Sequence, residues 1–233
     1  MTLNDTPQTR TADPDLVRAS TWCGLAFTIC QLAVMVFMAI FVLPHGGTPG
    51  DDPTDWGQRV LDHADAYRIG NYLFMVAGVL LLGFLGAVGV RLRRADGTGI
   101  LATTAVAAGT LLAFIWPYAA VLHDVAIDAA EAGTDVRLVA AWDAIAPYSL
   151  AFSALPRIFF VLAVVYALRL TGGSVWMQRT GLGIVALSAI GTATSLTAAV
   201  FPALALGSLG FELWIGALAW LWLREDRVSD SAV

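Results

Sequence analysis

Two charged residues, Arg157 and Glu212, stand inside otherwise apolar stretches of the chain. An ionisable side chain near the centre of a bilayer costs about 2.5–3.5 kcal/mol even on a lenient insertion scale, so each needs a partner or water. Counted from the outer ends of their stretches, Arg157 lies about 16 Å deep and Glu212 about 12 Å deep. An arginine side chain spans that difference. We therefore expect the two side chains to meet, directly or through one water or hydroxyl, as a structural ion pair or as a polar site that binds a proton or substrate.

Three hydroxyl residues on the neighbouring apolar stretch extend this polar group. Ser188, Thr192 and Ser195 recur at positions i, i+4 and i+7, which on a helix makes one stripe at a similar depth. Pro156 also leaves a helical carbonyl without its donor, close to Arg157. The predicted intramembrane site comprises Arg157, Glu212, Ser188, Thr192 and Ser195.

A weaker candidate site lies where the third apolar stretch ends, at His123, Asp124, Asp128 and Glu131. The three carboxylates share one face of a continuing helix, and with the histidine they could hold a divalent metal at the outer mouth. The spacing matches no known ligand motif, so we favour a solvated acidic face. Motifs for a nucleophilic serine, a zinc protease or a phosphate loop do not occur. We predict no catalytic residue, metal or cofactor.

The composition is typical of a polytopic membrane protein. Of 233 residues, 58% are apolar and 13% charged, against about 45–50% and 25% in soluble domains. The net charge of −5 argues against nucleic acid as a partner, so the lipid bilayer is the partner that we expect. A transmembrane helix needs about 20 apolar residues. Six stretches qualify: 21–43, 71–90, 100–122, 146–168, 181–201 and 204–223.

These stretches predict an all-α bundle of six transmembrane helices over residues 21–223, with tails at 1–20 and 224–233. Nine arginines fall on the side that holds both tails and three on the other, while one lies within a stretch. The positive-inside rule then places both termini in the cytoplasm, in a multi-pass plasma-membrane protein. The two long outer loops are acidic. In the first of them we expect the segment 54–67 to form a short helix docked over the bundle.

The layout resembles a bacterial membrane family, domain of unknown function 4386, whose members have six helices. Arg68-Ile69-Gly70 matches that family's arginine, apolar residue and glycine before the second helix. Its last helix carries a glutamate, small residues and a tryptophan-leucine ending, matched here by Glu212, Gly216, Trp220 and Leu221. The proline of a proline-arginine pair before the fifth helix is missing, since Gln178 precedes Arg179. The resemblance implies the fold and no activity.

Because no catalytic set converges, we expect a non-enzymatic accessory or partner-binding protein, its partner another membrane protein or a second copy of the chain. One alternative is a carrier of small molecules or ions that uses Arg157 and Glu212. Another is an enzyme on a lipid-soluble substrate, with Glu212 as acid or base.

Overall fold

The computed structural model describes residues 13–47 and 51–230, and within these ranges the chain contains helices and no strand. This confirms the all-α prediction. The helices are α1 Pro14–Phe37, α2 Pro53–Asp62, α3 Ala64–Asp96, α4 Ile100–Glu131, α5 Arg137–Asp143, α6 Ala146–Leu170, α7 Val175–Gly191 and α8 Phe201–Asp230. A π turn (Met38–Val42) and a 3-10 turn (Leu43–His45) prolong α1.

In the part of the chain that the structure describes, five helical segments are long and apolar enough to cross a membrane, which indicates a membrane protein. They are Pro14–His45, Ala64–Asp96, Ile100–Glu131, Arg137–Leu170 and Ala198–Val228. Each contains one of the predicted stretches, and most helices extend well beyond it.

The predicted span 181–201 differs from the structure. The helix that carries it, α7, begins earlier, at Val175, and ends at Gly191, where 3-10 turns take over at Thr192–Ser195 and Ala198–Val200. The hydroxyls here bond to nearby backbone carbonyls, Thr192 to Ala189 and Ser195 to Thr192, and such local bonds compete with regular helix. Seventeen residues of helix cover about 25 Å, less than the roughly 30 Å of a bilayer core.

The six long helices form a closed ring in the order α1, α3, α4, α6, α7, α8, and α8 returns to α1. Hydrogen bonds join neighbours: the Ser20 hydroxyl of α1 donates to the Gly83 carbonyl of α3, and the Trp214 indole of α8 donates to the Met177 carbonyl of α7 at 3.0 Å. Large apolar side chains such as Phe84, Phe160 and Leu218 fill the interior.

Both described ends of the chain lie at one end of the ring. Ser20, near the start of α1, bonds to the second half of α3. Arg91, on the same half of α3, donates to Asp226 near the end of α8 at 2.6 Å, and its guanidinium lies 4.9 Å from the Trp222 ring centroid. We call this the open end and the opposite one the capped end.

The short helices α2 and α5 pack together at the capped end, where Val60 and Val139 are fully buried. The Trp56 indole of α2 donates to Asp143 at 2.8 Å. Asp52 caps α2, and the N–H groups of Thr54 and Asp55 hold the pKa of its carboxyl below the usual value. The prediction of a short docked helix over 54–67 holds in part: α2 ends at Asp62 and contacts α3 and α4, whereas residues 64–67 form the first turn of α3.

The contact between α3 and α4 depends on Gly78. A Cβ atom there would lie 2.5 Å from the Ala113 carbonyl oxygen and 2.5 Å from Pro117 Cγ. We expect Gly78→Ala to lower the free energy of unfolding by about 1–3 kcal/mol, because backbone and a proline ring cannot move aside. Gly183→Ala on α7 is the control, since a Cβ there meets nothing within 4 Å. Thermal unfolding in detergent measures both, and equal melting temperatures would contradict the prediction.

Candidate polar site at the centre of the bundle

The two charges found in apolar helices are both buried and line one cavity. Arg157 and Glu212 each stand 11 residues after the start of their helix, about 16 Å along the axis. Their exposed fractions are 3% and 6%. Both line a cavity of about 30 Å³ at the centre of the ring, whose walls come from α1, α3, α4, α6 and α8.

The two side chains do not form a direct ion pair: no guanidinium nitrogen of Arg157 lies within 4.0 Å of a Glu212 carboxylate oxygen, although the structure describes both residues and their charges interact. Instead, Arg157 Nη2 donates to the Ser153 hydroxyl one turn earlier at 3.1 Å. The guanidinium also lies 5.6 Å from the ring centroid of Phe211, at cation–π distance. The direct form of the predicted contact is therefore absent, and contact through one water or hydroxyl stays a prediction.

Helix α1 supplies two polar side chains that the sequence-based site omitted. Gln31 Nε2 donates to Glu212 Oε1 at 3.0 Å, and the Thr28 hydroxyl donates to the Glu212 backbone carbonyl at 2.8 Å. Gly216, one turn beyond Glu212, permits this approach, since a Cβ there would lie 2.9 Å from Thr28. One signal could have identified Gln31: it is the single amide residue in the first apolar stretch.

Four buried polar atoms on the three long side chains of the site have no hydrogen-bond partner: Arg157 Nε and Nη1, Glu212 Oε2 and Gln31 Oε1. All three side chains line the cavity. Ala113 lines it too, and its carbonyl lacks a helical donor because Pro117 has no N–H. Buried polar atoms normally have partners, and a water site needs 10–15 Å³ or more and two to four polar groups. The cavity thus has the room and the groups to bind a small polar species.

The predicted hydroxyl stripe does not reach this site. Ser188 is fully buried, but the regular helix ends at Gly191, so Thr192 and Ser195 lose the predicted spacing. Their hydroxyls bond locally, and Ser195 is exposed. Ser188 lies against Gly207 of α8. None of the three hydroxyl residues lines the cavity.

The acidic group at the end of α4 is divided between two structural roles. Asp128 and Glu131 both accept from Arg68 of α3, at 2.6 and 2.8 Å. Asp124 accepts from Asn71 at 2.7 Å, while His123 is buried and packs edge-on against Tyr67 with ring centroids 5.2 Å apart. Over residues 13–47 and 51–230, no three histidine, cysteine or carboxylate side chains converge as metal ligands.

Comparison with known proteins adds no relative: no family model, curated protein or solved structure matches the chain.

Proposed function

We propose that this protein is a carrier in the plasma membrane, which binds a small polar solute or ion in the central cavity between Arg157 and Glu212. One observation supports the proposal: a buried guanidinium and a buried carboxyl line the same small cavity with unused hydrogen-bonding atoms. A purely structural ion pair would be expected to use those atoms on itself, because an unpaired buried polar atom costs about 1–3 kcal/mol.

The proposal includes six spans, with α7 and the turns after it as the fifth, and both termini in the cytoplasm. The open end would then be cytoplasmic, in keeping with nine arginines against three. The acidic loops would form the capped end outside the cell. We also propose membership in the domain of unknown function 4386 family, on Arg68, Gly70, Glu212, Gly216 and Trp220. Arg68, Glu212 and Gly216 take part in the contacts described above.

The other two roles expected from the sequence are less well supported. An accessory or partner-binding role gives the unpaired cavity atoms no purpose. An enzyme acting on a lipid-soluble substrate could use Glu212, which does face a cavity. However, sites for drug-sized ligands measure about 300–1,000 Å³, and this cavity measures about 30 Å³.

Solute flux into proteoliposomes tests the carrier. Formate, glycine and ammonium serve as probes, one each of an anion, a zwitterion and a cation. We expect at least one to enter faster than into protein-free liposomes, and Arg157→Met to reduce that flux tenfold or more. Glu225→Gln on the exposed end of α8 is the control, and its flux should equal that of the wild type.

If no probe enters faster than into protein-free liposomes, and none raises the melting temperature of the purified protein, the carrier proposal fails. Equal flux in the wild type and Arg157→Met would show that transport does not use this cavity.

A further inference from the structure

We propose that the solute is a small monovalent anion and that it is bound together with one proton, which Glu212 accepts. This inference rests on the proposed carrier function and names its cargo.

Charge balance in the cavity is the first argument. The lining residues include one fixed cation, Arg157, and one carboxyl, Glu212. The groups that surround these two side chains carry no charge. They are Gln31 and Thr28 of α1, Ser153 of α6, Phe211 of α8 and apolar side chains of α3 and α4. With both groups ionised the site is neutral. An anion would add a net negative charge in a buried place, at a large desolvation cost, unless the carboxyl took up a proton.

The charge of a bound cation cannot be balanced in the same way. The site would carry a net positive charge, and arginine cannot release its proton to remove it. The cavity therefore distinguishes the two signs of charge: an anion plus a proton enters without net charge, whereas a cation does not. A neutral solute would need no proton at all.

The positions of the free atoms agree with this assignment. Ser153 holds Nη2 of the guanidinium, so Nε and Nη1 remain to donate to an anion. Gln31 occupies Oε1 of the carboxyl, so Oε2 is the oxygen left to carry the proton. A protonated Oε2 donates a hydrogen bond, so that arginine and carboxylic acid both present donors to one anion.

The size of the cavity restricts the anion. About 30 Å³ is space for two or three water molecules. Formate, chloride and nitrate are of this size, whereas sugars and most amino acids are larger. The stacked rings of Phe74 and Trp116, with centroids 5.2 Å apart, form part of the wall and are half-buried.

Proton coupling can be measured in proteoliposomes that contain a pH-sensitive dye. Beyond the acidification of protein-free liposomes, into which neutral formic acid diffuses, an inward formate gradient should acidify the lumen with one proton entering per formate. The rate of this additional acidification should not depend on a voltage clamped with valinomycin and potassium. Nitrate should behave in the same way. Glu212→Gln should reduce the additional formate-driven acidification at least tenfold, while formate still raises the melting temperature of this variant, now independently of pH.

Two further variants keep the inference open to refutation if Glu212→Gln does not fold. Glu212→Asp keeps a carboxyl and should keep the one-to-one coupling. Arg157→Met should lose the rise in melting temperature with formate. Glu225→Gln again serves as the control and should behave as the wild type.

The outcomes separate the inference from the carrier proposal. Formate entry without protons, entry that moves charge, or transport of ammonium or glycine in place of formate would overturn the inference and leave a carrier. No probe crossing or binding would overturn both.

Discussion

Replacing Glu212 by leucine, with Arg157 retained, is expected to lower the free energy of unfolding by about 3–5 kcal/mol. Removal of one member of a buried pair leaves the other charge uncompensated, and that loss is of this size. Arg157 is 3% exposed, and arginine cannot neutralise itself by releasing its proton. The nearest hydroxyl, that of Ser153, would remain its single hydrogen-bond partner. Unfolding in mixed micelles, followed by tryptophan fluorescence, measures the change.

The other variants of this pair give the prediction its controls. Arg157→Met alone should cost less than Glu212→Leu, because the remaining carboxyl can take up a proton. The double variant should be more stable than Glu212→Leu, since apolar side chains of similar volume can replace a buried pair at little cost. A double variant whose loss equals the sum of the two single losses would show that the two charges are energetically independent, contrary to what their shared cavity implies.

Burial of the two charges was the feature of this site that the sequence could predict. A charged residue in an apolar stretch must turn towards the protein interior or water. Helices two apart in the chain run in the same direction, so counting residues gave comparable depths for Arg157 and Glu212. The structure buries both and places them on one cavity, each 11 residues after the start of its helix. Residue counts allow such a comparison because helix rise is nearly constant.

The neighbours of the two charges could not be predicted in this way. Gln31 reaches Glu212 because α8, the last helix of the ring, packs against the first. Such a closure depends on packing across the whole molecule, and periodicity within one stretch carries no information about it. The direction of the Arg157 side chain could not be predicted from the sequence either, because Ser153 on the same helix competes with Glu212 for the guanidinium.

Local polar chemistry also changed the helices themselves. The stripe Ser188, Thr192 and Ser195 has helical spacing, yet hydroxyls that bond to nearby carbonyls end the regular helix at Gly191. Spacing predicts a shared face only where the helix continues. In the same way, the carboxylates of Asp128 and Glu131 do lie on one continuing helix, but Arg68 of another helix neutralises them. The spacing of carboxylates along one helix does not reveal a cation that another helix contributes.

Replacing Gly57 by alanine is expected to release α2 from α5 while leaving the ring of long helices folded. A Cβ atom at Gly57 would overlap the backbone carbonyl of Val136, just before α5. The backbone cannot move away as a flexible side chain can. Overpacking of this kind costs about 1–3 kcal/mol, which corresponds to roughly a fivefold to 140-fold rise in the population of the opened state. The bond from Trp56 to Asp143 would open with it.

Hydrogen exchange read by mass spectrometry gives the measurement. Amides in residues 53–62 and 137–143 should exchange faster by that factor, whereas those of α1 and α3 around the central cavity should keep their wild-type rates. The substitution Gln58→Ala, at an exposed neighbouring position, is the matched control. The separation is expected because Val60 of α2 and Val139 of α5 belong to a second apolar cluster, which includes the capped ends of α3 and α4 and is separate from the main core of the ring. Faster exchange throughout the ring would show instead that the cap and the membrane-embedded helices unfold as one unit.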